Sequence, residues 1–493
     1  MLDRAIRNTN EYIERIPKAD RKKYGQFFTS ASVAQFMAGL FDIPAGKTKL
    51  SILDPGAGSG LLSIALLAQL QRYTHLEHIH ITCYETDPNV LGLLRRNLAN
   101  ACASSAIPAA FQIRAENYIL AQADQYNGAA DPDVKYDLVI GNPPYKKIHK
   151  SAPEVQVMAD ICHGGPNLYS MFAAMSLFNV ADNGEMVYII PRSWTSGPYF
   201  AAFRKKFLAG VALERIHLFG SRNSVFDKES VLQETMIIKA RKTGARPDTV
   251  SISTSPAGDF SQISHIDVPY STAVSDRVFL PTCQADIEVL QTMARWRDTL
   301  PSLGIQAKTG LVVDFRAKEY LRSTWEPKTV PVYYPRHIKN GRAVTPEDSF
   351  ITTERPGLLQ PNRNYLFMRR TSAKEEPRQL WCGIYLAKEH PDTKLISTDL
   401  KINFVDTPAG LPEETVYGLY VLFGSSLYDR YYRIVNGCIH VATTEINAMP
   451  VPPRAVIDQL GRELMAAGGE LSMEACDRVL ARYVEGARVG QAA

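Results

Sequence analysis

The chain has 493 residues, 45% of them hydrophobic and 22% charged, with a formal net charge of +4. That length suggests two domains with ample buried core, and the ordinary composition excludes a low-complexity or fibrous chain. The mild positive charge permits a polyanionic partner but does not demand one. Seven cysteines, at positions 83, 102, 162, 283, 382, 438 and 476, form no CxxC pair. An odd, scattered set argues for reduced thiols in a cytoplasmic protein, with no disulfide framework and no metal site.

The N-terminus is polar and helical in pattern, unlike a signal peptide. No apolar run reaches membrane-spanning length, so no membrane partner is expected. Leu50 to Asp54 reads as a short strand ending in a Gly-rich turn, and Leu61 to Gln71 as the helix that follows. Ile79 to Tyr84 is a second strand, Val90 to Ala103 a helix, and Tyr136 to Ile140 a third strand. A helix over Asn167 to Val180 precedes strands at Glu185 to Pro191 and Thr235 to Ala240. This alternation predicts a doubly wound α/β sheet of Rossmann type.

Residues 243–281 are rich in Ser, Thr, Asp and Pro and read as loops and short strands. The domain boundary is expected within Lys242 to Asp248, giving a first domain over 1–245. The second half shows short aromatic segments without regular alternation, so residues 246–455 read as an irregular α+β domain. Helical periodicity over Val456 to Val489 predicts a C-terminal helical segment, 456–493.

Two motifs carry chemistry. In Asp54-Pro55-Gly56-Ala57-Gly58-Ser59-Gly60, glycines let the backbone turn tightly and approach a ligand at the carboxyl end of a strand. Dinucleotide enzymes share such a turn. Here an acid, Asp54, precedes the glycines, where it can meet a cationic amino group. A second acid, Glu85, ends the next strand, where carboxylates hold ribose hydroxyls. An amino-acid nucleoside cofactor fits both.

The second motif is Asn142-Pro143-Pro144-Tyr145, directly after an apolar strand that the prolines stop. An exocyclic amine on a nucleobase is a poor nucleophile, because its lone pair is delocalised into the ring. The Asn142 side-chain carbonyl and the Pro143 backbone carbonyl are candidate acceptors for its two N–H bonds, which would localise the lone pair without a strong base. Pro144 holds the turn, and Tyr145 can stack on a base taken out of its duplex. As bland alternatives, the first motif is a packing turn and the second a strand stop.

Together these residues resemble the gamma class of type II DNA adenine-N6 methyltransferases, particularly the PstI/BsuBI-like group and more distantly TaqI methyltransferase. The resemblance runs from about residue 21 to 455. It implies S-adenosylmethionine as cofactor, with Tyr24, Thr29, Asp54, Gly56, Gly58, Glu85, Asn117 and Asn142 around it. Tyr24 and Thr29 belong to the N-terminal cofactor motif Tyr24-Gly25-Gln26-Phe27-Phe28-Thr29. Asn117-Tyr118 stands where the family has Asp-Phe against the cofactor's adenine, a departure that puts that contact in question. Val225-Phe226-Asp227 resembles the motif whose ring, Phe226, holds the flipped base opposite Tyr145.

The second domain is then expected to recognise the target sequence in double-stranded DNA. Basic clusters support this: Lys146 and Lys147 after the tetrapeptide, Arg336 beside Tyr333 and Tyr334, and Arg369, Arg370 and Lys374 near Tyr365 and Phe367. A monomer or weak dimer is expected, with a separate cognate restriction endonuclease as partner. Alternatives are transfer to another amine, namely cytosine N4, an RNA guanine or a protein glutamine. A nuclease reading rests on Pro391-Asp392 and Asp399-Leu400-Lys401 alone. A non-catalytic DNA-binding module would not need the two motifs together.

Overall fold

The computed structural model describes residues 1–15, 28–131, 135–162, 164–220, 234–256, 258–372, 376–436 and 439–489. Tyr24, Phe226 and Lys374 lie outside the described residues. The chain forms two compact units, Met1–Cys283 and Gln284–Ala493. The division therefore falls later than the predicted 242–248. The reason is that strands at Thr249–Ser255 and Ser264–Pro269 extend the first sheet.

The first unit is built on a nine-stranded sheet ordered β3-β2-β1-β4-β5-β7-β6-β8-β9. Its strands are β1 (Lys49–Asp54), β2 (His78–Tyr84), β3 (Ala109–Arg114), β4 (Tyr136–Gly141), β5 (Val180–Pro191), β6 (Ala212–Phe219), β7 (Thr235–Arg241), β8 (Thr249–Ser255) and β9 (Ser264–Pro269). β1, β2, β3, β4 and β5 are parallel, and β7 inserts antiparallel between β5 and β6. Helices include α1 (Leu2–Arg15), α2 (Ala31–Ala38), α3 (Leu61–Leu70), α4 (Pro88–Ala103), α5 (Leu168–Asn179) and α6 (Ala201–Gly210).

Helix α3, LLSIALLAQL, is apolar on nearly all sides, and eight of its ten residues are buried. Such a helix must be covered all round. It packs beneath α1 and α2 and against the strands that flank it, in one core with Ile52, Ile81 and Ile140. Each fully buried Leu or Ile there contributes about 1.5–3 kcal/mol relative to exposure.

At the end of the sheet away from the Gly-rich turn, β7 presents the fully buried Lys239 to Asp42, Glu185 and Glu214. Arg241 pairs with Glu185 and Glu214 as well. Three carboxylates that could chelate a cation are thus neutralised by the chain's own cations.

The second unit holds a six-stranded and a five-stranded sheet. Strands Tyr365–Arg369, Cys382–Tyr385 and Ile402–Asp406 pair antiparallel around an aromatic cluster of Tyr333, Tyr365, Phe367, Tyr385 and Phe404. Helices α7 (Glu413–Gly424), α8 (Arg454–Ala466) and α9 (Met473–Val489) pack together in this unit. Gly418 and Gly461 let α7 and α8 touch backbone to backbone, since a Cβ on either would lie 1.8 Å from a carbonyl oxygen of the other helix. The predicted C-terminal helical segment is therefore two helices, broken at 467–472.

Candidate active site

The order of the sheet places a break beside β1. From β1 the chain runs outward through β2 to β3, and in the other direction from β4 to β5. Helices leaving such a point diverge and open a crevice at the carboxyl ends of the strands. β1 and β4 pair through Ile52–Leu138 and Leu53–Val139. Their ends, Asp54 and Gly141, start the two motifs.

The Gly-rich turn is held by its own acids. Gly58 (φ +53°) and Gly60 (φ +81°) adopt left-handed backbone that L side chains avoid. A Cβ on Gly60 would also lie 2.8 Å from Leu94. The Gly58 N–H donates to Glu85 Oε2 at 2.8 Å, and the N–H groups of Thr86 and Asp87 donate to Oε1, each at 2.8 Å. Burial pushes the Glu85 carboxyl up, and these three bonds draw it back toward ionisation. Carboxylate oxygens have further lone pairs, so Glu85 can still accept from hydroxyls.

Asp54 is closed off from solvent. Ser63 at the start of α3 donates to its Oδ2 at 2.8 Å, while Oδ1 is buried with no hydrogen-bond partner among the described residues. Burial, with Glu85 nearby, raises its carboxyl to about 7. Asp54 thus ties the turn to α3 and leaves one orphaned acceptor beneath it. A Gly-rich turn with an orphaned acceptor beneath it and Glu85 at its side fits a cationic, hydroxylated cofactor.

Above the turn, the Phe28 ring lies 3.6 Å from where a Gly58 Cβ would stand. Tyr12 of α1 meets Phe28 edge-on at 6.1 Å between ring centres. Burial together with the charges of Asp87 and Glu85 raises the Tyr12 phenol to about 12, so it stays a neutral donor. Asn8 of α1 donates to Asn97, which donates to the Ser59 carbonyl of the turn. Sequence reasoning missed Tyr12, Asn97 and Ser63. Their helical spacing reads as packing, and nothing in their types marks a site.

The tetrapeptide stands beside the turn: a Cβ on Gly56 would lie 4.0 Å from the Asn142 backbone carbonyl. Gly141 lets the strand end lie close to Tyr188, whose ring would be 3.0 Å from an added Cβ. The Asn142 amide nitrogen donates to Thr29 Oγ1 at 3.0 Å. That bond anchors the Asn142 side chain at the end of β4. The Tyr145 hydroxyl donates to the Ile189 carbonyl at 3.0 Å, and Tyr169 of α5 braces its ring edge-on. Phe172, one turn further along α5, lies 3.6 Å from the Cβ position of Gly56. Both aromatics follow Asn167, which caps α5, and the cap was the legible signal.

Lys146 and Lys147 are exposed beside the tetrapeptide, on a segment pinned by Leu168 N–H to the Lys146 carbonyl at 3.0 Å and Ile148 N–H to the Pro166 carbonyl at 3.1 Å. Asn117 is differently engaged than its expected cofactor role requires. Its Oδ1 accepts from the N–H groups of Ile119 and Leu120, and its amide nitrogen donates to Glu154. β6 ends and β7 begins on the carboxyl edge of the sheet, where Leu218 pairs with Met236 and Pro191 with Thr235.

In the second unit the basic clusters divide. Arg336 is half exposed, stacked on Tyr334 at 4.6 Å and paired with Asp348 at 3.0 Å. It lines a groove of about 690 Å³ with the exposed Phe315 and Lys318 and the half-buried Arg322. Arg369 instead stacks on Trp381 and donates to the Ile338 carbonyl, and Arg370 donates to the Leu400 carbonyl. Tyr333, Tyr365 and Phe367, expected to interleave with these cations on a DNA-facing surface, are fully buried. Their aromatic pattern is that of a core.

Comparison with known proteins agrees with this geometry. The family described as Eco57I restriction-modification methylase matches residues 68–226. The type II methyltransferase M.BsuBI of Bacillus subtilis is 32% identical over 461 residues, spanning 90% of each chain. M.PstI of Providencia stuartii is 30% identical over 467 residues, again 90% of each. The chain belongs to the type II methyltransferases. Within them this methyltransferase falls in the PstI/BsuBI group. Its fold also resembles the type IIL restriction-modification enzyme MmeI, solved in complex with DNA. That likeness has a TM-score of 0.58 at 13% identity and covers 99% of this chain and 74% of that one. Among the described residues no helix is long and apolar enough to cross a membrane.

Proposed function

We propose that this methyltransferase modifies the N6 amine of adenine in double-stranded DNA, using S-adenosylmethionine, as the modification partner of a separate restriction endonuclease. The observation that carries the reading is the adjacency of the Gly-rich turn and Asn142 at the break in the sheet. When bound, the cofactor supplies an electrophilic methyl group on a sulfonium.

The chain's residues then have distinct tasks. Gly56 and Gly58 admit the cofactor to the backbone, Glu85 accepts from its ribose, and buried Asp54 steadies the turn beneath its amino group. Asn142 Oδ1 and the Pro143 carbonyl accept the two N–H bonds of the target amine and direct its lone pair. Both acceptors are neutral, which suits an amine that carries no charge to begin with. Tyr145 and Phe226 are assigned to the two faces of the flipped base. Pro144 holds Tyr145 in place. Lys146 and Lys147 meet backbone phosphate beside the crevice, and the second unit, with Arg336 on its open groove, reads the sequence.

Sequencing plasmid DNA from an expressing strain with a method that detects modified bases tests this. N6-methyladenine in one short motif is expected. N4-methylcytosine, or no DNA methylation at all, would move the acceptor to the alternatives.

A further inference from the structure

The carboxyl ends of β1 and β2 supply the Gly-rich turn and Glu85, and the next strand end, that of β3, leads to Asn117. Whatever nucleobase the cofactor carries is therefore expected beside Asn117. Asn117 by itself is poorly equipped to read an exocyclic amine. A carbonyl oxygen has two lone pairs, and those of Asn117 Oδ1 already cap the helix at Tyr118–Ala121, accepting from Ile119 N–H at 3.0 Å and Leu120 N–H at 3.2 Å. What the residue still offers is a donor. Its Nδ2 reaches Glu154 Oε1 at 2.9 Å and retains a second hydrogen.

Glu154 comes from a different part of the chain, the short helix Pro153–Val157 that follows the catalytic tetrapeptide. That helix packs on the Tyr118–Ala121 helix and is anchored by the buried Val155 and Met158, while Glu154 stays half-buried. Tyr118 touches Phe172 at 5.4 Å between ring centres, and Phe172 reaches the Gly56 position at 3.6 Å. Through Tyr118 and Phe172 the Asn117–Glu154 pair is thus linked by packing to the turn.

We propose that Asn117 and Glu154 form a two-residue reader for the adenine edge of the cofactor. The second Nδ2 hydrogen of Asn117 donates to a ring nitrogen, N1, and the Glu154 carboxylate accepts from the N6 amine. The amide thus supplies the donor and the carboxylate the acceptor that an adenine edge requires. An adenine edge presents acceptor and donor in that order. A hypoxanthine edge presents them reversed, with N1–H against Nδ2–H and O6 against a carboxylate. The inference rests on the S-adenosylmethionine reading and adds Glu154 to it.

Titration calorimetry with S-adenosylhomocysteine and S-inosylhomocysteine tests both levels separately. The wild-type chain is expected to prefer the adenosyl compound by roughly tenfold or more, the scale of one hydrogen bond to a charged group. Glu154→Ala should weaken adenosyl binding and compress that preference. Glu154→Gln retains the acceptor for Asn117 and adds an N–H that can meet O6, so inosyl binding should improve over wild type while the melting temperature holds. An unchanged adenosyl-to-inosyl ratio in both variants would overturn the reader while leaving the cofactor reading intact. Failure of the wild type to bind S-adenosylhomocysteine would overturn both.

Discussion

The amide nitrogen of Asn142 donates to the hydroxyl of Thr29 at 3.0 Å, across 113 residues of chain. An asparagine amide can turn over, and the turned form would offer a donor where the target amine needs an acceptor. The Thr29 hydroxyl, which can accept or donate, anchors the Asn142 side chain in place. Asn142→Ala is expected to lower the single-turnover methylation rate by at least about 10²–10³-fold. Cofactor binding, read by calorimetry, should change little. Thr29→Val should cost roughly tenfold in rate, and Thr29→Ser should restore it.

The buried Asp54 predicts an unusual pH response. Its carboxyl sits at about 7 in the folded chain, mainly through burial, against roughly 3.9 when unfolded. The folded state thus binds a proton that the unfolded state has released between those values. The stabilising contribution is complete below about pH 4 and is lost as pH rises through 7, by up to roughly 4 kcal/mol. Asp54→Asn keeps an acceptor for Ser63 and never ionises. Relative to wild type, its cofactor-free melting temperature should rise between pH 5 and pH 8. A relative fall over that interval would mean that the ionised carboxylate has a stabilising partner.

His217 titrates with the opposite sign. Burial lowers its imidazole to about 4, and its two ring nitrogens face Ser253 and Ser255. The unfolded state takes up a proton near pH 6.5 that the folded state refuses. Stability is therefore lost as pH falls from about 6.5 toward 4. Thermal melts of His217→Gln should show a flatter acid limb than wild type, and an identical limb would exclude His217 as its source.

Two glycines can be ranked. Gly60→Ala meets both a left-handed backbone and a Leu94 methyl 2.8 Å from the new Cβ. It should destabilise the chain by about 2–4 kcal/mol in denaturant unfolding, summing strain and overpacking. Gly141→Ala meets only the Tyr188 ring at 3.0 Å. It should cost about 1–2 kcal/mol in stability. Because it displaces Asn142, its effect on methylation rate should exceed its effect on melting.

In the second unit, Arg336 and Arg369 should separate cleanly. Arg336 is half exposed and is held by Tyr334 and Asp348, whereas Arg369 lies between Trp381 and a backbone carbonyl. If Arg336 meets a phosphate, Arg336→Ala should reduce the salt slope of DNA binding by about one without changing the melting temperature. Arg369→Ala should lower the melting temperature and leave the slope alone.

Much of the first unit was legible because its central strands announce themselves. β1, β2 and β4 are strands rich in Ile, Leu and Val, stopped by Asp-Pro-Gly, by Glu85 and by Asn142-Pro143. β3, AAFQIR, was missed, since an edge strand exposes alternate residues and has no apolar run. β6 was hidden by Glu214 and Arg215 in its middle, one of which is an ionic partner of β7. In the second unit the same aromatic residues that read as a DNA-facing surface are its core. Sequence shows an aromatic beside an arginine, but the direction each side chain takes depends on strand pairing that short, irregular strands do not declare. Glu154 was invisible for a related reason, since its meaning comes from Asn117, which lies far from it in the chain.

The buried Lys239 has a consequence at the opposite end of its strand. Residues 237, 239 and 241 share one face of β7, so a slip of two residues would keep apolar side chains inward. It would also set Ile237 or Arg241 where Lys239 meets Asp42, Glu185 and Glu214. With Ile237 there, the buried Glu185 would lose Lys239, and removing one partner of a buried ion pair costs about 3–5 kcal/mol. The ionic cluster therefore acts as a ruler. By fixing which residue of β7 lies opposite β5 and β6, it sets where the chain re-enters the sheet at Thr235, at the same carboxyl edge on which β4 ends before Asn142.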